Sequence, residues 1–155
     1  MKIQRIYLDT SVIGGCFDIE FSKWSNALFS DFRNRIFIPV LSNLVEAEIQ
    51  DAPAVIKSKL YELLEMGCEI LIADDESLDL ANKYQERKIL TPKFFNDGLH
   101  IAIATVNKID ILVSWNFKHI VHFNKIYLFN AVNMEMGYKP IDIYSPREVT
   151  TYEQD

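Results

Sequence analysis

Cysteine is scarce: the chain contains two, Cys16 and Cys68. They form no metal or redox pattern, so a reduced, cytoplasmic setting is the simplest expectation, with both thiols acting as small buried apolar groups. No apolar run approaches the roughly 18–20 residues that a membrane helix needs. No signal-like apolar segment precedes the first strand pattern. Neither membrane association nor secretion is therefore expected. Positive charge is also in short supply, with 16 Lys and Arg against 22 Asp and Glu, a net charge of −6. That balance argues against avid, unselective binding to nucleic acid. It does not exclude an enzyme acting on nucleic acid, because metal ions cancel part of an acidic pocket's charge. Internal repeats, low-complexity tracts and linkers are absent as well. What is present is 155 residues, 49% of them apolar and 12% aromatic, enough for one domain over residues 1–155 with a sizeable core.

Short apolar runs alternate with amphipathic stretches along the whole chain. Residues 3–8, 36–38, 69–72, 111–113 and 141–144 read as strands, the second stopped by Pro39. Helices are expected over about 20–33, 43–50, 53–66, 77–87, 95–107 and 118–136, with Ser42 or Asn43 and Pro53 as start signals and Gly67 and Gly137 as stops. Short strands separated by helices imply an α/β fold, with a parallel sheet of about four or five strands covered on both faces.

In such folds ligand sites gather beyond the carboxyl ends of the strands. Asp9 stands there, closing Ile6-Tyr7-Leu8 and followed by Thr10 and Ser11. Ser114, Trp115 and Asn116 stand at the same end of the strand at 111–113. At about 100° per residue, Glu48 shares a helix face with Leu44, Val45 and Ile49, while Glu46 points away. Glu48 is therefore expected to turn inward, where a carboxylate needs a partner or a metal. Asp97 begins a helix that is apolar almost all round. Capping is the plain role for an acid there, with metal binding as the alternative. His100, one turn on, is a possible hydrogen-bond partner for Asp97 or a packed core histidine. Asp18, Glu20, Asp74, Asp75 and Glu76 read as caps and solvated surface, Asp110 lies at the wrong end of its strand, and Asp142 should face solvent. Two basic clusters, Lys83-Arg87-Lys88-Lys93 and Lys118-His119-His122-Lys125, flank Asp97 and Asn116 in sequence; solvated surface is the simpler reading of each.

Four segments together resemble a family. Ile6-Tyr7-Leu8-Asp9-Thr10-Ser11-Val12-Ile13, Ser42 with Glu48, Asp97-x2-His100-Ile101-Ala102-x-Ala104 and Leu112-Val113-Ser114-Trp115-Asn116-Phe117-Lys118-His119 are similar to the motifs of PIN domains. The likeness is strongest to the bacterial VapC-like branch, the toxin halves of toxin–antitoxin pairs. Each motif alone is weak, but the four occur in the family's order across nearly the whole chain. The resemblance implies a three-layer α/β/α fold and a metal-dependent ribonuclease site in which Asp9, Glu48 and Asp97 bind Mg2+ or Mn2+. Many members carry aspartate at the fourth position, where this chain has Asn116. That departure bears on a second metal and on turnover.

The residue types suit the chemistry. Phosphodiester hydrolysis needs an activated water and relief of phosphate charge, both of which a hard divalent cation supplies. Such a cation prefers oxygen ligands and keeps several waters. Asp9 and Asp97 are the expected principal ligands, with Glu48 on a metal-bound or attacking water. Asn116, Ser114 and Lys118 would lie near water or phosphate, and Thr10 and Ser11 would donate to the strand-end carboxylate or to substrate. Trp115 offers a ring for a base to stack on, although burial against the core is the simpler role. The expected partners are RNA, an antitoxin protein and a second copy of the chain. The helix at 20–33 and the aromatics Phe117, Phe123, Tyr127 and Phe129 carry the apolar surface for a homodimer or antitoxin contact. Two other classes fit the same residues: a PIN-like RNA-binding or scaffold module with little turnover, and a metal-dependent phosphoesterase acting on another substrate.

Overall fold

Five short strands lie side by side in one wholly parallel sheet: β1 Arg5–Leu8, β2 Ile38–Ser42, β3 Glu69–Leu71, β4 Ile111–Val113 and β5 Asp142–Tyr144. Their order is β3-β2-β1-β4-β5, in register Tyr7↔Val40, Leu8↔Val113, Leu41↔Ile70 and Leu112↔Ile143. The computed structural model describes residues 2–152. Among the described residues eight α-helices accompany the strands: α1 Thr10–Gly15, α2 Ser22–Arg33, α3 Asn43–Ile49, α4 Ala54–Glu65, α5 Asp75–Glu86, α6 Phe95–Val106, α7 Phe123–Glu135 and α8 Pro146–Val149. They cover the sheet on both sides in a three-layer α/β/α arrangement, with α2 against α1 and α8, and α5 against α6 and α7. Between Arg5 and Ser42 at their ends the central strands are apolar, as strands covered on both faces must be: Ile6, Tyr7, Leu8, Val40, Leu41, Leu112 and Val113 are fully buried.

The chain winds outward from β1 to β2 and β3, then returns to place β4 on the other side of β1. That reversal opens a crevice between the carboxyl ends of β1 and β4, the usual place for a ligand in an open parallel sheet. The residues after those two strands, Asp9 and Ser114, lie in it.

Several boundaries differ from expectation. Pro39 lies inside β2 instead of ending a strand. Ile38 N donates to Gln4 O on the β1 side, so the missing N–H of Pro39 faces the β3 side, where pairing begins only at Val40↔Glu69. The segment after β4 is a turn through His119 and Ile120, and α7 begins at Phe123. Asp74 caps α5 through Ser77 N at 2.9 Å. Glu46 is exposed. Cys16 is buried but Cys68 is only partly so; burial pushes the Cys16 thiol up to about 12. Phe129 belongs to the core, fully buried on Tyr84, whereas Phe123 and Tyr127 on the same helix are 85% and 72% exposed.

Helix ends follow one device. Ile36, Ile89, Ile109 and Tyr138 each send their backbone N–H back to a carbonyl five residues earlier, closing α2, α5, α6 and α7. The closure requires a left-handed residue just before. Gly137 supplies it once, but Arg35, Lys88 and Lys108 occupy it at φ 61, 55 and 56°. Their charge suits the negative end of the helix dipole, which offsets part of the strain.

Candidate active site at the carboxyl edge of the sheet

Asp9 ends β1 with only 4% of its surface exposed. Its two carboxylate oxygens are held separately: Ser11 Oγ donates to Oδ1 and Ser114 Oγ to Oδ2, both at 2.6 Å. Each serine oxygen is aimed by a backbone amide of the segment after β4. Trp115 N donates to Ser11 Oγ at 2.8 Å and Asn116 N to Ser114 Oγ at 2.9 Å. A hydroxyl that accepts from an amide has its single proton left for the carboxylate. Asp9 is thus oriented by two serines 103 residues apart in the chain. Burial pushes its carboxyl above the ordinary range; His100 and the two serines oppose the rise, and the charge of Asp97 adds to it.

Asp97 lies in the first turn of α6, whose N-cap is Phe94. The Asp97 carboxylate turns to His119, with Oδ2 accepting from Nδ1 at 3.0 Å. His119 is itself fixed: its backbone N donates to Asn116 Oδ1 at 2.9 Å, and its ring lies 3.9 Å from that of Phe94. The second histidine does not serve Asp97. His100 reaches across to α3, where Nε2 meets Glu48 Oε1 at 2.6 Å. Side chains on a helix lean toward its N-terminus and stand 100° apart, so residues three apart can face different neighbours. A carboxylate only accepts, so His100 Nε2 donates to Glu48, and Nδ1 can then accept from the Tyr7 hydroxyl at 2.7 Å. Tyr7 is fully buried, its hydroxyl also 2.7 Å from Ser42 Oγ; burial raises its pKa far above the usual tyrosine value.

Glu48 does not enter the core as the helical wheel suggests. Its side chain is 31% exposed, because α3 is a short helix whose end lies at the mouth of the crevice. Oε1 accepts from Thr10 Oγ1 at 2.8 Å as well as from His100, so both hydrogen bonds fall on one oxygen of the carboxylate. Burial would raise its carboxyl, but the hydrogen bond and electrostatic pull of His100, with Thr10, outweigh it and hold the carboxyl below its ordinary value.

Asp9, Asp97, Glu48, Thr10, Ser11, Ser114, His100 and Asn116 therefore belong to one edge of the sheet. Trp115 serves this edge through its backbone amide, and its ring takes no part. It is 7% exposed, stacked on Phe21 at 4.1 Å, with Nε1 donating to Ser25 Oγ at 2.8 Å, so no base can reach its faces. Gly15 is what allows this packing, since a Cβ there would fall 2.6 Å from Trp115 Nε1. Lys118 is exposed and lines a cleft beside His119. His119 and Tyr7 were not singled out by the sequence pattern. The signal for His119 was its place three residues after Asn116, within a basic cluster.

Among the described residues no three His, Cys, Asp or Glu side chains stand together as a ready cation cage. A two-carboxylate site is the arrangement that fits. Asp9 is a buried carboxyl group with hydroxyl partners and, among the described residues, no lysine or arginine ion pair, and Asp97 is close enough to raise its pKa. Hard oxygen donors that repel one another suit Mg2+ or Mn2+, which needs one or two carboxylates and keeps its waters.

No family model matches the chain, and no curated protein matches it. Among solved structures, the chain is similar to one from the crystal structure of VapBC2 from Rickettsia felis bound to a DNA fragment from its promoter. The TM-score is 0.57 at 16% identity, covering 92% of this chain and 98% of the other. At that identity the likeness establishes the fold, the PIN-like three-layer arrangement.

Proposed function

We propose that this protein is a metal-dependent endoribonuclease, the toxin component of a toxin–antitoxin pair, acting in the cytoplasm. The observation that carries the reading is Asp9: a nearly buried carboxylate at the sheet's switch point, its pKa raised by burial and by Asp97, and held by two hydroxyls among the described residues. Such a group is incomplete without a cation. Asp9 and Asp97 would hold Mg2+ or Mn2+, with Glu48 on its water shell; bound there, the ion supplies charge relief on the phosphate and a more acidic water.

The chain's own groups do the positioning. Ser11 and Ser114 hold Asp9 in one rotamer, and His119 does the same for Asp97. Thr10 and His100 occupy Glu48 Oε1, so Oε2 is the atom that accepts a proton from a water attacking phosphorus. Tyr7 holds His100 and keeps that geometry from the far side. Asn116 contributes through its backbone and through the turn it caps. The neighbour in fold comes from a VapBC complex on promoter DNA, which supports an antitoxin as partner. The exposed face of α7, with Phe123, Tyr127 and Met134, supplies apolar surface for that protein or for a second copy.

A second reading has its own observation. The Asn116 side-chain oxygen is engaged by His119 N, and no charge stands where many PIN domains carry an acid, as a weakly active RNA-binding module would have it. One experiment separates the two: incubation of mixed single-stranded RNA and DNA with Mn2+, Mg2+ or EDTA, beside Asp9→Asn. Metal-dependent RNA cleavage lost in Asp9→Asn supports the enzyme. RNA binding without cleavage under any metal supports the module.

A further inference from the structure

We propose that the cleft beside Asp97 is a nucleotide subsite, seating one base of a single-stranded nucleic acid against Phe94 with its phosphates on Lys88 and Lys118. The inference deepens the ribonuclease reading and rests on it for the substrate class.

The cleft has a volume of about 700 Å3, within the range of sites that enclose a small ligand. Its walls come from the end of α5, the turn leading into α6, the turn after β4 and the first turn of α7. In a chain of net charge −6 every ionisable group lining it is basic: Lys88, Lys118, Lys125 and His119. Members of both basic clusters thus meet, although they lie about thirty residues apart in sequence. Lys83 and Arg87, on the same helix end, are turned outward into pairs with Glu86 and Glu135. Lys125 is anchored on Ile89 O at 2.5 Å. Lys88 and Lys118 are exposed at the cleft and in no ion pair among the described residues.

The cleft is continuous with the acid site, because His119 belongs to both: its Nδ1 meets Asp97 Oδ2 at 3.0 Å while its ring packs on Phe94 at 3.9 Å. Phe94 is half-buried and lines the cleft. An aromatic flanked by unpaired cations and apolar walls is the pattern that binds single strands, bases on the ring and phosphates on the charges. A strand running from the cleft to Asp97 would bring its next phosphate to the carboxylates.

The test is binding of a labelled short single-stranded RNA in EDTA, followed by fluorescence anisotropy between about 50 and 200 mM salt. Lys88→Ala and Lys118→Ala should each weaken binding and lower the slope of log K against log salt by about 0.7, the value for one phosphate contact on a single strand. Phe94→Leu should weaken binding about tenfold at an unchanged slope, as lost base stacking does. Lys57→Ala, on α4, should match wild type. Wild-type affinity and slope in both lysine variants would overturn the subsite, as would a wild type that binds no better than the Lys88/Lys118 double variant; the cleft would then be left to a protein partner. The lysines are exposed, so their variants keep the fold even if Phe94→Leu does not. Cleavage in Mn2+ is scored separately. Cleft-dependent binding without cleavage defeats only the enzyme, and cleavage with cleft-independent binding defeats only the subsite.

Discussion

Replacing Asp9 with asparagine should reverse the order of stability between metal-free and metal-loaded protein. In EDTA the wild type buries a carboxylate whose pKa is raised above the ordinary range. A raised acid makes the folded state the better proton binder. Its contribution is therefore most favourable at low pH and is lost as pH rises from the unfolded value, near 3.8, through the folded one. Asparagine removes that loss. The substitution weakens the serine hydrogen bonds by about 1 kcal/mol, but it relieves a buried charge worth several times that. A net gain on the order of 1–2 kcal/mol follows, or roughly 2–8 °C for a domain of this size. Glu48, lowered in the fold, gives a slope of the opposite sign below its ordinary pKa. Both proteins share it, so the difference curve isolates Asp9.

With Mn2+ at about a hundred times its Kd, the wild type should gain about 2.7 kcal/mol, or roughly 5–10 °C, and overtake the variant. The assay is thermal unfolding of both proteins at neutral pH, in EDTA and in Mn2+. Two results would refute the reasoning. Equal Mn2+ shifts would mean that the cation does not sit on Asp9. A variant less stable than wild type in EDTA would mean that the serines compensate the charge fully and that Asp9 is a structural anchor.

Three further outcomes are expected. Tyr7→Phe removes both buried hydroxyl bonds and leaves His100 Nδ1 without its donor, which should lower stability by about 2–3 kcal/mol; a melting temperature within a degree of wild type contradicts this. Lys108→Gly, at φ 56°, should stabilise by about 0.5–1 kcal/mol, read as a higher denaturant midpoint at constant slope. Asn116→Asp keeps an acceptor for His119 N and adds a charge. It should enlarge the Mn2+ shift and raise any metal-dependent cleavage, which a side-by-side titration would measure.

The parallel sheet was legible because each strand lies in a short stretch rich in apolar residues between turn signals, and Asp9 was legible because it follows one. What escaped was set by tertiary packing. Thr10–Gly15 carries β-branched residues and two glycines, poor helix formers, yet it is helical because Val12 and Ile13 are fully buried and Gly15 lies under Trp115. The four-residue α8 had a written signal, Ser145 followed by Pro146 and Glu148, whose Oε1 accepts from Ser145 N at 3.0 Å; Pro146 read more simply as the end of a strand. The wheel gave the direction of Glu48 correctly as the side of Val45 and Ile49, but a wheel carries no depth. The pairings of His100 with Glu48 and of His119 with Asp97 join elements 52 and 22 residues apart, which no local periodicity encodes.

Those pairings bear on how the departure at position 116 should be weighed. Asp9 does not depend on the Asn116 side chain. Its geometry comes from Ser114, whose hydroxyl is set by the Asn116 backbone amide, and any residue supplies that amide. The Asn116 side chain acts one step away, holding the turn that presents His119 to Asp97, and its acceptor oxygen is all that this requires. Asparagine and aspartate both offer the acceptor that this cap uses; aspartate adds a negative charge and gives up the N–H donors of the amide. The architecture around Asp9 and Asp97 is thus intact without a fourth acid. Compared with aspartate, Asn116 brings no negative charge to the crevice, and charge there governs how strongly cations would be drawn in rather than where its groups point.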